Sequence, residues 1–304
     1  MPFFSIIIPT YNRASLIAQT IASVQSQIFT DWECIVVDDG SVDNTRNVIK
    51  NITDKDSRIR YIYQNNAERS VARNNGIENS TGDYICFLDS DDYYKENHLM
   101  ILNESIISSN FNQGMFFTNY FFLDKGKQSI PLIPSLKGDI INYLCFNPII
   151  PARVCIHKAI LKNKRFDEDI VIVEDLLLWL KIAFEHPVIQ IERETVVYNI
   201  HADNSINIKN NAAQKRLNGL YLFFNRNEDA NKKIPSFLKC YLLGDTHFSV
   251  AKYHIYKNNK LKAIKHLFLS IYFQRFHSQL KHKLYIVLHL ILHKTIPEYT
   301  ILKV

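Results

Sequence analysis

Tyr84-Ile85-Cys86-Phe87-Leu88-Asp89-Ser90-Asp91-Asp92 sets five consecutive apolar or aromatic residues directly before three carboxylates in four positions. A run that is apolar at successive positions, with no alternation, reads as a strand covered on both faces. Three similar runs precede it: Phe3–Ile8, Cys34–Val37 and Ile59–Tyr63. Between them, Ala14–Gln27, Asn44–Asn51 and Ser70–Asn79 carry helical patterning. Strands alternating with helices predict parallel pairing, and right-handed crossovers then predict a doubly wound α/β sheet. In such sheets ligands bind beyond the carboxyl ends of the strands. Those ends are Pro9-Thr10-Tyr11, Asp38-Asp39-Gly40-Ser41 and Asp89-Ser90-Asp91-Asp92, so their polar residues point to one site.

After about residue 110 the pattern changes. Gly114–Leu123 and Ile189–Ile200 read as longer strands of a mixed sheet, with a buried helix at Glu174–Phe184 between them. From about residue 210 the chain reads as helical, near 212–226, 235–256, 259–275 and 278–294, with breaks at Asn258-Asn259 and Ser278. The expected organisation is a catalytic domain over 1–208 and a basic helical region over 209–304.

Of the 304 residues, 47% are hydrophobic and 22% charged, as in ordinary folded proteins. The net charge of +6 is unevenly spread. Residues 205–304 carry 17 Lys and Arg against four Asp and Glu, whereas the first 204 residues are net acidic. Five scattered cysteines form no CxxC pair, which favours a reducing compartment over a disulfide framework. Phe3–Ile8 reads as a first strand and not as a signal peptide. The longest apolar stretch near the end, Leu284 to Leu292, is far below the ~20 residues that cross a bilayer. The expected location is the cytoplasm, peripheral on the inner face of the plasma membrane.

The candidate residues each admit two readings. Asp39 at a strand tip can accept hydrogen bonds from a base or ribose, or can cap the next helix. The three carboxylates Asp89, Asp91 and Asp92 would repel one another, and a divalent cation would relieve that repulsion. Alternatively they decorate a helix N-terminus. Arg69 and Arg73 share a helix face, where they could meet phosphate or simply be solvated. Glu174-Asp175 opens a helix that is apolar all round, so a carboxylate there could take a proton from a substrate hydroxyl or could serve as a cap. His201 follows a strand end and could complete a metal shell. No GxGxxG or GxxxxGK[ST] loop is present among only eight glycines, so a bound diphosphate needs another partner.

Taken in order, Ser5-Ile6-Ile7-Ile8-Pro9-Thr10-Tyr11-Asn12-Arg13, Val36-Val37-Asp38-Asp39-Gly40-Ser41, Ala72-Arg73-Asn74-Asn75-Gly76-Ile77 and Gly82-Asp83 through Asp92 resemble a family-2 glycosyltransferase of the GT-A fold. Phe166-Asp167-Glu168, Glu174-Asp175 and Tyr198-Asn199-Ile200-His201 continue the series over some two hundred residues. The resemblance implies a nucleotide-sugar (NDP-sugar) donor held by Pro9, Tyr11, Arg13 and Asp39. Arg73 would help with sugar or phosphate, and Asp89 with Ser90 would contact the donor sugar or ribose. It implies Mn²⁺ or Mg²⁺ on Asp91 and His201, a general base at Asp175, and Glu174 placing that base or touching the acceptor. The implied reaction inverts the anomeric centre and builds a surface polysaccharide or glycolipid on a glycan or lipid-linked acceptor. Relatives often carry two glycines where this chain has Ala67-Glu68, and an arginine where it has Lys181. The last hundred residues carry no family motif.

Their +13 charge, with Tyr, Phe and Leu interleaved, suits an anionic membrane surface or a solvated helical subdomain. Nucleic acid is not an expected partner, since the acidic first half would repel it. Two other functions compete with transfer. A sugar nucleotidyltransferase would want a glycine-rich loop bearing Arg and Lys after the first strand, which Pro9–Arg13 is not. A catalytically inactive nucleotide-sugar binding protein would not need Asp91 and Asp175.

Overall fold

The computed structural model describes residues 1–109, 113–201, 211–274 and 280–292. The chain divides into two compact units, Met1–His201 and Ala202–Val304. The expected boundary at 208/209 falls outside the described residues.

The first unit begins with β1 (Phe4–Thr10), α1 (Ile17–Gln25), β2 (Trp32–Asp39), α2 (Thr45–Thr53), β3 (Ile59–Gln64), α3 (Glu68–Asn79) and β4 (Tyr84–Phe87). Every residue of β2 and β4 is buried, as strands covered on both faces must be. It continues with β5 (Tyr93–Tyr94), α4 (His98–Ser108), β6 (Met115–Asp124), β7 (Lys127–Ser129) and α5 (Ile140–Phe146). After a short turn of 3-10 helix at Pro151–Arg153 come β8 (Val154–His157), α6 (Lys158–Leu161), α7 (Glu174–Ala183) and β9 (Val188–Ile200).

The described strands form one sheet in the order β3-β2-β1-β4-β8-β6-β9-β5, with β7 beside β6. β3, β2, β1 and β4 run parallel. β8 lies antiparallel between β4 and β6, and the sequence reading missed it. Four apolar residues are too few for periodicity to separate a buried strand from a helical segment. β9 runs parallel to β6, and β5 pairs antiparallel with β9.

Two features of this topology position the site. The chain builds outward from β1 to β3, then returns to place β4 on the other side of β1. That reversal opens a crevice beyond the carboxyl ends of β1 and β4, where Pro9–Arg13 and Asp89–Asp92 lie. In the second, Tyr93 pairs with Val197 and Tyr94 with Val196. The antiparallel register carries the end of β9, and with it His201, back toward the turn that precedes β5.

One face of the sheet is packed by Ile6, Ile8, Ile21, Val24 and Leu102, and the other by Ile35, Val37 and Ala72. α3 approaches the sheet closely because Gly76 has no side chain. A methyl group there would lie 2.4 Å from Ile7 Cγ2.

The second unit is helical throughout its described residues: α8 (Ala212–Arg226), α9 (Glu228–Lys233), α10 (Ser236–Tyr256), α11 (Lys260–Phe273) and α12 (Leu280–Ile291). The short α9 was not expected. The break at Asn258-Asn259 is made by Asn258 in the left-handed region and by the Asn259 side chain accepting from the Lys262 amide. Ser278, the other expected break, lies outside the described residues. Phe248, Ala251, Leu267, Ile286, Val287 and Leu290 form this unit's core. No described helix is long and apolar enough to cross a membrane.

Gly76→Ala is expected to cost about 1–3 kcal/mol, because a branched side chain on a strand has little room to yield. Urea unfolding should show a lower midpoint with an unchanged slope, and an unchanged midpoint would contradict the close approach.

Candidate active site

The crevice is organised around Arg73. Its side chain enters from α3 and is 1% exposed. One guanidinium nitrogen, Nη1, donates to Glu174 Oε1 at 2.8 Å, and Nη2 donates to Asp89 Oδ1 at 2.8 Å. The solvated reading of this arginine is therefore wrong. A planar fork with two donors on separate nitrogens can hold two carboxylates from distant segments, which an ammonium group does less well. The next residue acts as a second clamp. Asn74 Nδ2 donates to Phe166 O at 3.0 Å while Asn74 Oδ1 accepts from Phe166 N at 3.1 Å, as a paired strand would. The same Nδ2 reaches Glu168 Oε1 at 3.0 Å. Two consecutive residues of α3 thus fix the segment that leads into α7. Arg69, one turn earlier, is half-buried.

Asp89–Asp92 form a tight turn, with Asp92 N donating to Asp89 O at 3.1 Å. The alternative of a helix N-terminus fails, because β5 follows directly and the next helix starts at His98. The three carboxylates have different environments. Asp89 is held by Arg73. Asp91 Oδ2 lies 2.9 Å from His201 Nε2 and 3.9 Å from Arg13 Nε. Asp92 is buried, its Oδ1 accepts from Asn199 N at 3.0 Å, and its Oδ2 has no hydrogen-bond partner. Burial, then the charges of Asp89 and Asp91, push the Asp92 carboxyl well above its ordinary range. Asp92 therefore braces β9, and Asp91 is the carboxylate turned to the histidine. Ser90 is buried within the turn.

Asp91 and His201 offer one carboxylate and one imidazole. Among the described residues no group of three or more His, Cys, Asp or Glu converges to hold a metal ion. A two-donor set of this kind fits a Mn²⁺ or Mg²⁺ ion that takes its remaining oxygens from phosphate and water.

At the β1 end, Tyr11 is 46% exposed and Asn12 adopts φ 51°. The loop is stitched to its neighbour. Asn12 N donates to Ser41 Oγ, Val42 N to Asn12 Oδ1, and Arg13 N to Thr45 Oγ1, each at 2.9 Å. Pro9 pairs across the sheet with Val37, which sets the start of this loop beside the end of β2. Asp38 accepts from Ser41 N at 2.8 Å and from the Tyr61 hydroxyl at 2.7 Å. Asp39 does not cap α2. Its Oδ1 accepts from Gln64 Nε2 at 2.7 Å and from Ala67 N at 2.8 Å, so it anchors the loop between β3 and α3. Burial raises its carboxyl and those hydrogen bonds oppose the rise. The residue after Ala67, Glu68, adopts φ 73°. A glycine would tolerate that conformation without strain, which gives the departure at Ala67-Glu68 a backbone meaning.

At the α7 end, Val173 adopts φ 75°, an unfavourable conformation for a β-branched residue. α7 starts immediately after it. Glu174 is buried and committed to Arg73. Asp175 is half-buried, with Oδ1 accepting from Leu176 N at 2.7 Å. One oxygen thus satisfies a free helix amide. Burial and then the neighbouring Glu174 push the Asp175 carboxyl up to about 7, against the Leu176 amide and Arg73.

The structure therefore joins Arg13, Asp91 and His201 in one group, and Asp89, Arg73, Glu174 and Asp175 in a second that shares the Asp89–Asp92 turn. Asp39 belongs to neither. Tyr198 belongs to the motif that ends at His201, but the motif gave it no role of its own. Burial and the three aspartates push its hydroxyl up to about 12, so it stays protonated beside them. A cavity of about 410 Å³ lined by Gln64, Ala67, Val71, Asn75 and Glu168 lies along α3 and includes none of Asp89, Asp91, Asp92, Glu174 and Asp175.

A mixed sheet with this reversal and a crevice at its strand ends has the architecture of the GT-A fold. Residues 5–141 match the family model for glycosyl transferase family 2, and the first unit is a family-2 glycosyltransferase domain. An uncharacterized glycosyltransferase of Rickettsia bellii is 33% identical over 204 residues, 66% of this chain but 29% of that protein, so the match spans about a third of its length. A Campylobacter jejuni protein named GalNAc(5)-diNAcBac-PP-undecaprenol beta-1,3-glucosyltransferase is 29% identical over 231 residues, 73% of this chain and 72% of its own. Among solved structures, Staphylococcus aureus TarS 1-349 in complex with UDP-GlcNAc has a TM-score of 0.60 at 18% identity, covering 91% of this chain and 93% of that one. The mannosyltransferase PcManGT of Pyrobaculum calidifontis, in complex with GDP-Man and Mn²⁺, has a TM-score of 0.56 at 16% identity, covering 97% and 88%.

Arg73→Met would leave Asp89 and Glu174 without their shared cation, at an expected cost of about 3–5 kcal/mol. Arg73→Lys should recover only part of it, because a single ammonium cannot present two donors on a rigid fork. Denaturant unfolding of the three proteins measures this, and equal stability of wild type and Arg73→Met would remove the network from its central place.

Proposed function

We propose that this chain is an inverting glycosyltransferase that moves a sugar from an NDP-sugar to an acceptor hydroxyl, in the synthesis of a surface polysaccharide or glycolipid. The observation that carries the reading is the adjacency of two carboxylate groups with different chemistry. Asp91 faces an imidazole at 2.9 Å, and Asp175 adjoins Glu174, which Arg73 ties to Asp89 within the same turn.

In this reading the nucleotide lies along the loops after β1 and β2, with Pro9, Tyr11 and Arg13 around it and Asp39 holding the loop that leads to α3. Asp89 and Ser90 face the donor sugar or ribose. Asp91 and His201 would hold Mn²⁺ or Mg²⁺, which neutralises the negative charge on the diphosphate. A bound Mn²⁺ in PcManGT supports a divalent ion without choosing which.

Asp175 serves as the general base. Its second oxygen accepts the acceptor hydroxyl proton as the acceptor oxygen bonds to the anomeric carbon. The bond from that carbon to the diphosphate oxygen breaks on the opposite face, the nucleoside diphosphate departs with the electron pair, and the centre inverts. A carboxylate raised to about 7 is matched to this task near neutral pH. Arg73 and Glu174 fix α7 so that this oxygen keeps its direction.

The Campylobacter relative's name specifies an undecaprenol-linked substrate, which supports a lipid-linked glycan as acceptor here. All five cysteines are free, which supports a reducing, cytoplasmic setting.

Asp175→Asn should keep donor binding and lose transfer by about 10²–10⁴-fold. Wild-type transfer in that variant would remove the base assignment. The base works deprotonated, so the rate should rise with pH through about 7 and then level. Glu174→Gln removes the larger of the two neighbouring charges that raise the value, Glu174 and Asp89, so the rising limb should move to lower pH. A limb that stays put would show that Glu174 does not act on Asp175.

Chelation should abolish donor hydrolysis, and Asp91→Ala should raise the Mn²⁺ concentration for half-activation by on the order of 10²-fold. Full activity in chelator would exclude the ion.

A further inference from the structure

α12 turns apolar side chains in two directions. Ile286, Val287 and Leu290 enter the core of the helical unit. On the other side Leu284, Leu288 and Ile291, spaced four and three apart, are 48%, 53% and 51% exposed, with Tyr285 and Leu292 beside them. α11 behaves similarly. Leu261, Phe268 and Tyr272 are exposed at helical spacing, and exposed Lys265 sits within the same row. Soluble proteins seldom leave contiguous apolar rows in water without a partner. Among the described residues the rows do not belong to a membrane-spanning helix. Twelve residues of helix reach about 18 Å, short of the ~30 Å of hydrocarbon.

The charge around these rows identifies the partner. From residue 246 to residue 297 the sequence contains nine Lys and Arg and no Asp or Glu. Lys262, Lys265 and Lys281 are exposed on the same two helices as the apolar rows. A surface that is apolar along its rows, cationic between them and free of acid complements anionic headgroups lying over acyl chains. Nucleic acid would satisfy the lysines and leave the leucines wet. A second copy of the chain would set like charges against one another.

We propose that the exposed faces of α11 and α12 dock this protein on the surface of an anionic lipid bilayer, with the helices lying at headgroup depth. Leu284, Leu288 and Ile291 insert between acyl chains, and Lys262, Lys265 and Lys281 meet headgroup phosphates. Its purpose, delivery of the crevice to a lipid-linked acceptor, rests on the transfer reading above, whereas the docking itself does not.

Flotation of the full chain with vesicles tests it. Wild type should bind vesicles containing phosphatidylglycerol, bind pure phosphatidylcholine vesicles at least about tenfold more weakly, and release as salt rises. The variant Leu284→Ser/Leu288→Ser/Ile291→Ser should lose partitioning by about tenfold or more while donor hydrolysis in solution and the circular dichroism spectrum stay unchanged. If that variant misfolds, Lys262→Gln/Lys265→Gln/Lys281→Gln provides the second test, with weaker binding and a flatter salt dependence. Wild type that ignores anionic vesicles, or a folded serine variant that binds them fully, overturns the proposal. So does a stable dimer in sedimentation velocity that the serine substitutions dissolve, since a second copy would then cover the rows. Loss of donor hydrolysis with intact vesicle binding would instead overturn the transfer reading and leave the docking standing.

Discussion

A guanidinium cut off from water is stable only where carboxylates replace its hydration, and Arg73 meets two. Taking one ion of this size out of water costs several kcal/mol, about as much as its partners return when the geometry is good. The net gain in stability is small, but the constraint is large. Asp89 and Glu174 are 85 positions apart in the chain, and neither can move without stranding a buried charge. The Asp89–Asp92 turn and the start of α7 are therefore held in one register by a single side chain. Asn74 repeats the device with neutral groups on Phe166, so α3 acts as the clamp for both halves of the site.

The same economy appears in the acidic turn. Three like charges in four residues cannot all stay ionised without help. Asp89 is neutralised by Arg73 and Asp91 faces His201 and Arg13. Asp92 is driven toward its protonated form, and its other oxygen holds the Asn199 amide. That last bond, with the pairing of β5 to β9, returns the end of β9 to the turn. Asp91 and His201 meet because of a two-residue strand, not because of any local preference of either residue.

The two units differ in kind. The first concentrates acidic groups in a crevice built by strand ends. The second buries an apolar core within a helical stack and leaves further apolar rows outside, among lysines. Their sequences reflect the split as a change of charge sign near residue 205 and a change of period from strand-and-helix to helix alone.

Much of this was legible in the chain. The buried-strand pattern of Ile6–Ile8, Cys34–Val37 and Tyr84–Leu88, with helical stretches between, pointed to a parallel sheet, because crossover helices cover both of its faces. Asp89, Asp91, Glu174, Asp175 and His201 stood out because charge beside an apolar run marks an element's end. Tertiary structure alone decided what those residues do. Arg73 could have met phosphate or been solvated, and only the fold showed its guanidinium buried between Asp89 and Glu174. Asp39 could equally have contacted a nucleotide or capped the next helix, and its hydrogen bonds go to Gln64 and Ala67, 25 and 28 residues later. Val154–His157 became a strand only because β4 and β6 flank it. Sequence fixes local preference and the order of charge along the chain. Which distant charges share a proton, a cation or a buried partner depends on distances that only the folded sheet defines.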